Sequence, residues 1–344
     1  MMLSGVPEPV IDYGPRHYIC RRATGPLALD GCLNKPFWEA ADWTEDFTDI
    51  EGDVRPKPAK RTRVKMLWDD EYLYVGAELL EDQIWATLTE RDSVIFYDND
   101  FEIFIDPDGD THGYYEIEIN ALNTVWDLLL VKPYRDGGPP VNGWDIAGLR
   151  SAVYIEGELN NPAAENRMWS VEIAIPWASL RECAAESRPP LTGEFWRINF
   201  SRVEWQAEPA EGGYRKVINP KIGKPYPEDN WVWSPMGIVN MHYPELWGYV
   251  VFSGEDGPHA FAMPEDERIK WELRKLYYRQ RNHYAAEGRY EADAKRLMEG
   301  DGWSIEATVE TTRSLFQISA LSEDGMSLWC IREDGKLWKE RVGP

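Results

Sequence analysis

Two runs of alternating apolar and polar residues dominate the middle of the chain. In the first, Phe101, Ile103 and Ile105 fall on one face, and Glu102 and Phe104 on the other. In the second, Tyr115, Ile117 and Ile119 alternate with Tyr114, Glu116, Glu118 and Asn120. Side chains alternate across a pleated strand, so the pattern predicts two β-strands with their apolar faces on a core. The acidic stretch between them reads as a turn, and pairing as a hairpin would set Glu102 beside the row Glu116, Glu118 and Asn120. Carboxylates stacked in this way destabilise the fold unless a cation, a hydrogen-bonding ligand or protonation relieves them. The row is expected on an open sheet surface.

The same period recurs along the chain. Residues 61–79 read as a hairpin turning at Asp69-Asp70, and 147–159, 167–177, 194–205, 230–235 and 246–252 each read as a strand. Many short strands and almost no helix predict an all-β fold, an antiparallel β-sandwich over residues 27–253. Residues 1–26, rich in Pro and Gly, read as an extended lead-in. Past Pro264 the period changes: Ile269, Leu273, Leu276 and Tyr277 fit one helical stripe, with a break at Glu287-Gly288. The last forty residues return to alternation and predict a small β-meander. Helix and meander (264–344) are expected to pack on the sandwich, or to mediate homo-oligomer formation.

Composition narrows the function. A net charge of −23 argues against nucleic acid and against anionic membrane surfaces. Seventeen Trp and seventeen Tyr exceed what a core of this size needs, which suits stacking platforms. No apolar run is long enough to span a membrane, and no secretion signal is visible at the N-terminus. Cys20, Cys32, Cys183 and Cys330 form no C-x-x-C pair. A disulfide such as Cys20–Cys32 stays open.

Two constellations carry candidate chemistry. In the turn, Asp106, Asp108 and Asp110 could converge on calcium, with Asp98 and Asp100 on the same ion or another; a solvated acidic tip is the alternative. The second constellation is the polar sheet face: Glu102, Glu116, Glu118, Asn120, Glu172, Arg197, Asn199 and Ser201. Carboxylate, amide and guanidinium groups grip sugar hydroxyls, and Trp126, Trp144, Trp231 and Trp233 could supply platforms for the sugar's C–H face. A solvent-facing sheet with compensating ion pairs is the plain alternative. Nucleophilic catalysis lacks a motif. Glu116 with Glu118 or Glu102 could nonetheless act as a glycosidase pair.

The segments LDGCLNKPFWEAADW, VKMLWDDEYLYVGAEL, DNDFEIFIDPDGD, WSVEIAIPW and FWRINFSRVEW, in this order over residues 27 to about 252, together resemble the family 9 carbohydrate-binding modules. The resemblance implies a sugar-binding β-sandwich, commonly with structural calcium, usually extracellular or periplasmic and often attached to xylan- or cellulose-degrading enzymes. Members that bind these polymers grip a terminal sugar between two tryptophans. The first position corresponds to Phe96 or Tyr97, the second to the stretch Met241-His242-Tyr243, and Glu118 stands where an arginine is expected. Distant sandwiches of similar topology bind haem through Met and His, for which Met66, Met241 and His242 are the candidates. The leading expectation is non-catalytic binding of an oligosaccharide or polysaccharide on a calcium-stabilised sandwich. A glycoside-cleaving enzyme is the first alternative and a haem protein the second.

Overall fold

The computed structural model describes residues 5–186, 188–254, 257, 260–300 and 302–342. Of the thirteen strands of the main sheet among the described residues, the eleven longer than two residues build its body: β1 His17–Arg22, β2 Thr62–Trp68, β3 Tyr72–Leu80, β4 Asp100–Asp106, β5 Tyr114–Asn120, β6 Val125–Leu130, β7 Arg150–Glu156, β8 Met168–Pro176, β9 Phe195–Glu204, β10 Asp229–Val232 and β11 Gly248–Ser253. Hydrogen bonding runs in the order β6-β5-β4-β9-β11-β1-β2-β3-β8-β7, and β10 pairs with the second half of β9. The two ends of this ladder face each other as a sandwich, joined along one side by β11 and β1. Phe101, Ile103, Ile117, Ile198 and Phe200 from one layer meet Val64, Val75, Val171 and Ile173 from the other in a single interior. Burying each such side chain contributes about 1.5–3 kcal/mol.

Residues 1–26 contain more than a lead-in. Tyr18 and Cys20 of β1 are buried in the interior, and β1 pairs parallel with both β11 and β2. The two-residue apolar period over 17–22 is too short to stand out in a sequence rich in Pro and Gly. The four cysteines are unpaired, with Cys20 inside the core and Cys32 in a loop.

The outer face of β4, β5 and β6 is covered as well. Phe104, Tyr114, Leu128 and Leu130 pack under Met236, Tyr243, Leu246 and Trp247, and then under helix α1, Glu265–Glu287. The helix follows Pro264, carries three acids in its first turn and ends at Gly288, whose φ of 69° suits a residue without Cβ. A second short helix, α2 Ala294–Leu297, leads to the meander β12 Ala307–Thr311, β13 Phe316–Leu321, β14 Ser327–Arg332 and β15 Leu337–Arg341. Ile269, Leu273, Leu276 and Tyr277, the helical stripe, are buried within the chain. Polar anchors reinforce this layer. Tyr278 donates to Glu245 at 2.5 Å, Arg135 bridges to Glu245 at 2.8 Å, and Arg281 bonds Asp136. No helix among the described residues is long and apolar enough to cross a membrane.

Glu172 belongs to the other layer and not to the polar row of β4 and β5. It lies on the outer face of β8, fully buried, and holds the segment before the first turn: it accepts from the backbone N–H groups of Asp30 and Gly31 and from Trp38 Nε1, and pairs with Lys35 at 2.9 Å. Gly31, with φ of 81°, brings its backbone so close to Val153 and Tyr154 that a Cβ would collide. Removing one partner from such a buried group leaves the rest uncompensated, at a cost of about 3–5 kcal/mol. Glu172→Ala should therefore lower the Tm by on the order of 5–10 °C in a calorimetric melt. An unchanged Tm would show that the 27–43 segment is held without it.

Candidate functional site

The register of four strands lays out the polar face as a grid. Glu102 of β4 lies directly opposite Glu118 of β5, with Ser201 of β9 on one side and Trp126 of β6 on the other. The next row reads Asn199, Phe104, Glu116 and Leu128, and the row on the other side reads Val203, Asp100 and Asn120. The carboxylates therefore do stand together, as alternation predicts. They do not stand on an open surface. Glu102, Glu116 and Glu118 are 5%, 5% and 2% exposed, because the loops at 134 and 228–242 rise over them.

What remains above the row is a cavity of about 310 Å³, within the size range of small-ligand sites. Its floor is Glu102, Glu116 and Glu118. Its walls include Phe96, Trp126, Tyr134, Glu228, Asn230, Asn240, Met241 and His242. Tyr134 is half exposed at the mouth and meets His242 edge-on, with ring centroids 4.4 Å apart. Tyr114 Oη lies 3.0 Å from His242 Nδ1. Burial, and then the nearby Arg135, push the His242 pKa down to about 3, so its imidazole is neutral. Trp126 Nε1 has no hydrogen-bond partner.

The acids are held unusually. Glu118 accepts from the Phe96 N–H at 2.9 Å, and Asp100 accepts from the Val203 N–H at 3.3 Å while its other oxygen has no partner. Glu116 makes no hydrogen bond or ion pair with a described residue. Desolvation, and then Glu102, raise the Glu116 pKa well above the carboxylate range. Desolvation followed by neighbouring carboxylates does the same for Glu118 and Asp100. Burial brings Glu102 to about 7.

Among the described residues, three groups of acids have metal-like spacing. Asp106, Asp108 and Asp110 offer oxygens within 4.8 Å of one another, as do Asp100, Glu102 and Glu118. Burial and mutual repulsion raise the pKa of both Asp106 and Asp108, the latter to about 6. The third group, Asp92, Asp127 and Asp145, is bridged by the Arg91 guanidinium. Asp98 accepts from Thr87 N, Thr87 Oγ1, Leu88 N and Asn120 Nδ2, and it stands outside the groups with metal-like spacing. Asn120 is thereby fixed beneath the row, bonding Asp98 and the loop carbonyl of Leu88.

Other expected ligand residues lie elsewhere. Arg197 sits two rows away, under α1, stacked on Tyr249 at 3.9 Å. Asn199 is buried against Ser234. Trp144 stacks on Tyr115, on the interior side of the sheet. Trp231 and Trp233 also point inward, so it is Asn230 that faces the cavity. Met66 is enclosed between the two layers, away from Met241 and His242, so the three do not converge on a haem. Tyr134, Glu228 and Asn240 had no periodic signal. The one hint was the Gly/Pro-rich loop around 132–144.

The family model described as carbohydrate family 9 binding domain-like matches residues 29–255. Exoglucanase XynX from Acetivibrio thermocellus is 27% identical over 158 residues, which are 45% of this chain and 12% of the exoglucanase. A putative carbohydrate-binding protein from Bacteroides uniformis superposes with a TM-score of 0.50 at 14% identity, covering 70% of this chain and 100% of that one. A family 9 carbohydrate-binding module from Caldicellulosiruptor kristjanssonii, solved with cellotriose, superposes with a TM-score of 0.44 at 16% identity, over 72% of this chain and 99% of that one.

The crowded acids carry a stability cost that pH reveals. An unfolded Glu releases its proton near 4.5, whereas folded Glu102, facing Asp100, Glu116, Glu118 and Glu228, holds it to about 7. The folded state thus loses ground as pH climbs from about 4.5 to about 7 and recovers none above it. Glu102→Gln should melt a few degrees above the wild type at pH 8, and the gap should close by pH 4.5. A variant that melts lower at pH 8 would show that the carboxylate is stabilising.

Proposed function

The chain belongs to the carbohydrate family 9 binding domain-like family, and on that premise we propose that it is a non-catalytic carbohydrate-binding protein whose ligand lodges in the acidic, aromatic-walled cavity. The observation that carries this reading is the cavity's composition. Acceptors for hydroxyl groups form the floor, and the rings of Phe96, Trp126 and Tyr134 stand around it to cover a sugar's apolar face. Phe96 and the Met241–His242 pair both line it, so the two stretches that correspond to the sugar-gripping positions of the family meet at one place. Their residues differ from the family's tryptophans.

The carboxylates favour binding over bond cleavage. A glycosidase separates its acid from its base by giving the two carboxyls opposite environments. Here Glu102, Glu116 and Glu118 share one environment and all shift upward together.

Calcium forms the second part of the proposal. Asp106, Asp108 and Asp110 fit a calcium ion by number, oxygen chemistry and spacing, and they would supply three of the six to eight oxygens it takes. Their side chains also accept from the backbone N–H groups of Gly109, Thr111, Asp110 and His112, so the loop is already shaped. A bound ion would neutralise the repulsion between them and stiffen the hairpin tip.

Calorimetric titration of the full chain with gluco-, xylo- and amino-sugar oligosaccharides tests the first part. At least one should give saturable heat, and Trp126→Ala and Tyr134→Ala should each weaken it roughly tenfold, about 1.4 kcal/mol. Lack of saturable heat across the panel would remove the reading. For the second part, millimolar calcium should raise the Tm of the wild type and leave that of Asp108→Asn unmoved. A wild type indifferent to calcium and to chelator would dismiss the ion.

A further inference from the structure

Four carboxylates line one cavity, and no counter-charge lines it with them. Glu102, Glu116, Glu118 and Glu228 form part of its wall and floor, whereas no Lys or Arg is among its described lining residues. Elsewhere several of this chain's buried acids are matched with cations. Glu81 and Glu204 hold Arg202 and Lys60, Glu245 holds Arg135, Asp136 holds Arg281, and Glu172 holds Lys35. Glu116, nine-tenths buried and lining the cavity, has no such partner, and Asp100 behind it has a buried oxygen with no donor.

A neutral hydroxyl can donate to one of these oxygens but brings no charge that would let the crowded acids ionise together. An ammonium group donates three hydrogen bonds and also offsets the charge. The walls bear on the choice between an organic cation and a metal ion. A bare ion could use Asp100, Glu102 and Glu118, whose oxygens lie within 4.8 Å of one another. It would leave Glu116, Glu228 and the aromatic rings unused in a cavity of about 310 Å³. Aromatic faces attract organic cations, and the volume has room for a sugar ring.

We infer that the carbohydrate this cavity takes is a cationic one, an amino sugar whose free ammonium sits on Glu102, Glu116 and Glu118 while its ring lies against Trp126 and Tyr134. The inference rests on the reading that the cavity binds carbohydrate and adds its charge.

The experiment is calorimetric titration of the full chain at pH 7. The ligands are a fully deacetylated glucosamine trimer, its N-acetylated counterpart, cellotriose and calcium chloride. The deacetylated trimer should bind at least tenfold more tightly than the other two trimers. Its affinity should fall as sodium chloride rises. Glu116→Gln should abolish most of that preference, with a melt confirming that the variant is folded. Equal affinity for cellotriose would overturn the cationic specificity and leave carbohydrate binding standing. Binding of none of the trimers would remove both. Glu116-dependent calcium binding with no response to the deacetylated trimer would replace the amino sugar by a metal ion.

Discussion

Side-chain alternation along two paired strands decides most of what this molecule is. Asp100–Asp106 and Tyr114–Asn120 pair in one register, and that register sends Phe101, Ile103, Ile105, Ile117 and Ile119 into the sandwich interior. The same pairing must then set Glu102 opposite Glu118 on the other side, with Glu116 diagonal to them. A slip of one residue would exchange the two faces and bury the acids in the apolar core. The large apolar gain on one side therefore locks an unfavourable row on the other. That row survives because its acids are raised toward neutrality, and loops roof the space above it.

The enclosure is what converts a charged sheet face into a site. In open water the three glutamates would be ionised, hydrated and indifferent to most ligands. Beneath Tyr134, the 228–242 segment and the layer anchored by α1, they lose solvent and gain a shaped volume with aromatic walls. Electrostatic interactions strengthen in such surroundings, as does the cost of leaving them unmet. The C-terminal layer thus contributes at a distance. Its contacts with Phe104, Tyr114 and Trp247 fix the wall from which Met241 and His242 face the cavity.

Periodicity made the fold legible to the extent that it encodes which face a residue takes. The central hairpin, the helix ending at Gly288 and the four-strand meander could all be read from spacing. Which layer a strand joins is a separate matter, and alternation says nothing about it. Glu172 has the right parity for a polar face, yet its strand lies in the opposite layer, where the residue secures the 30–38 segment. Trp231 and Trp233 illustrate the complementary limit. Their stretch alternates clearly, but only pairing with Ser201–Glu204 determines that the tryptophans turn inward and Asn230 turns to the cavity. The roof was least legible, since loop residues such as Tyr134 and Asn240 have no period and are placed by tertiary contacts alone. Family likeness extends over the sandwich, matched across residues 29–255.

The central claim is that the enclosed space over Glu102, Glu116 and Glu118 is where the ligand resides. A crystal structure of the full chain grown with a saccharide that gives saturable heat addresses this directly. The account predicts the sugar ring beside Trp126 and Tyr134, with polar atoms about 3 Å from the Glu102 and Glu116 carboxylates. A saccharide seated on another surface, with only water above the glutamates, would contradict it.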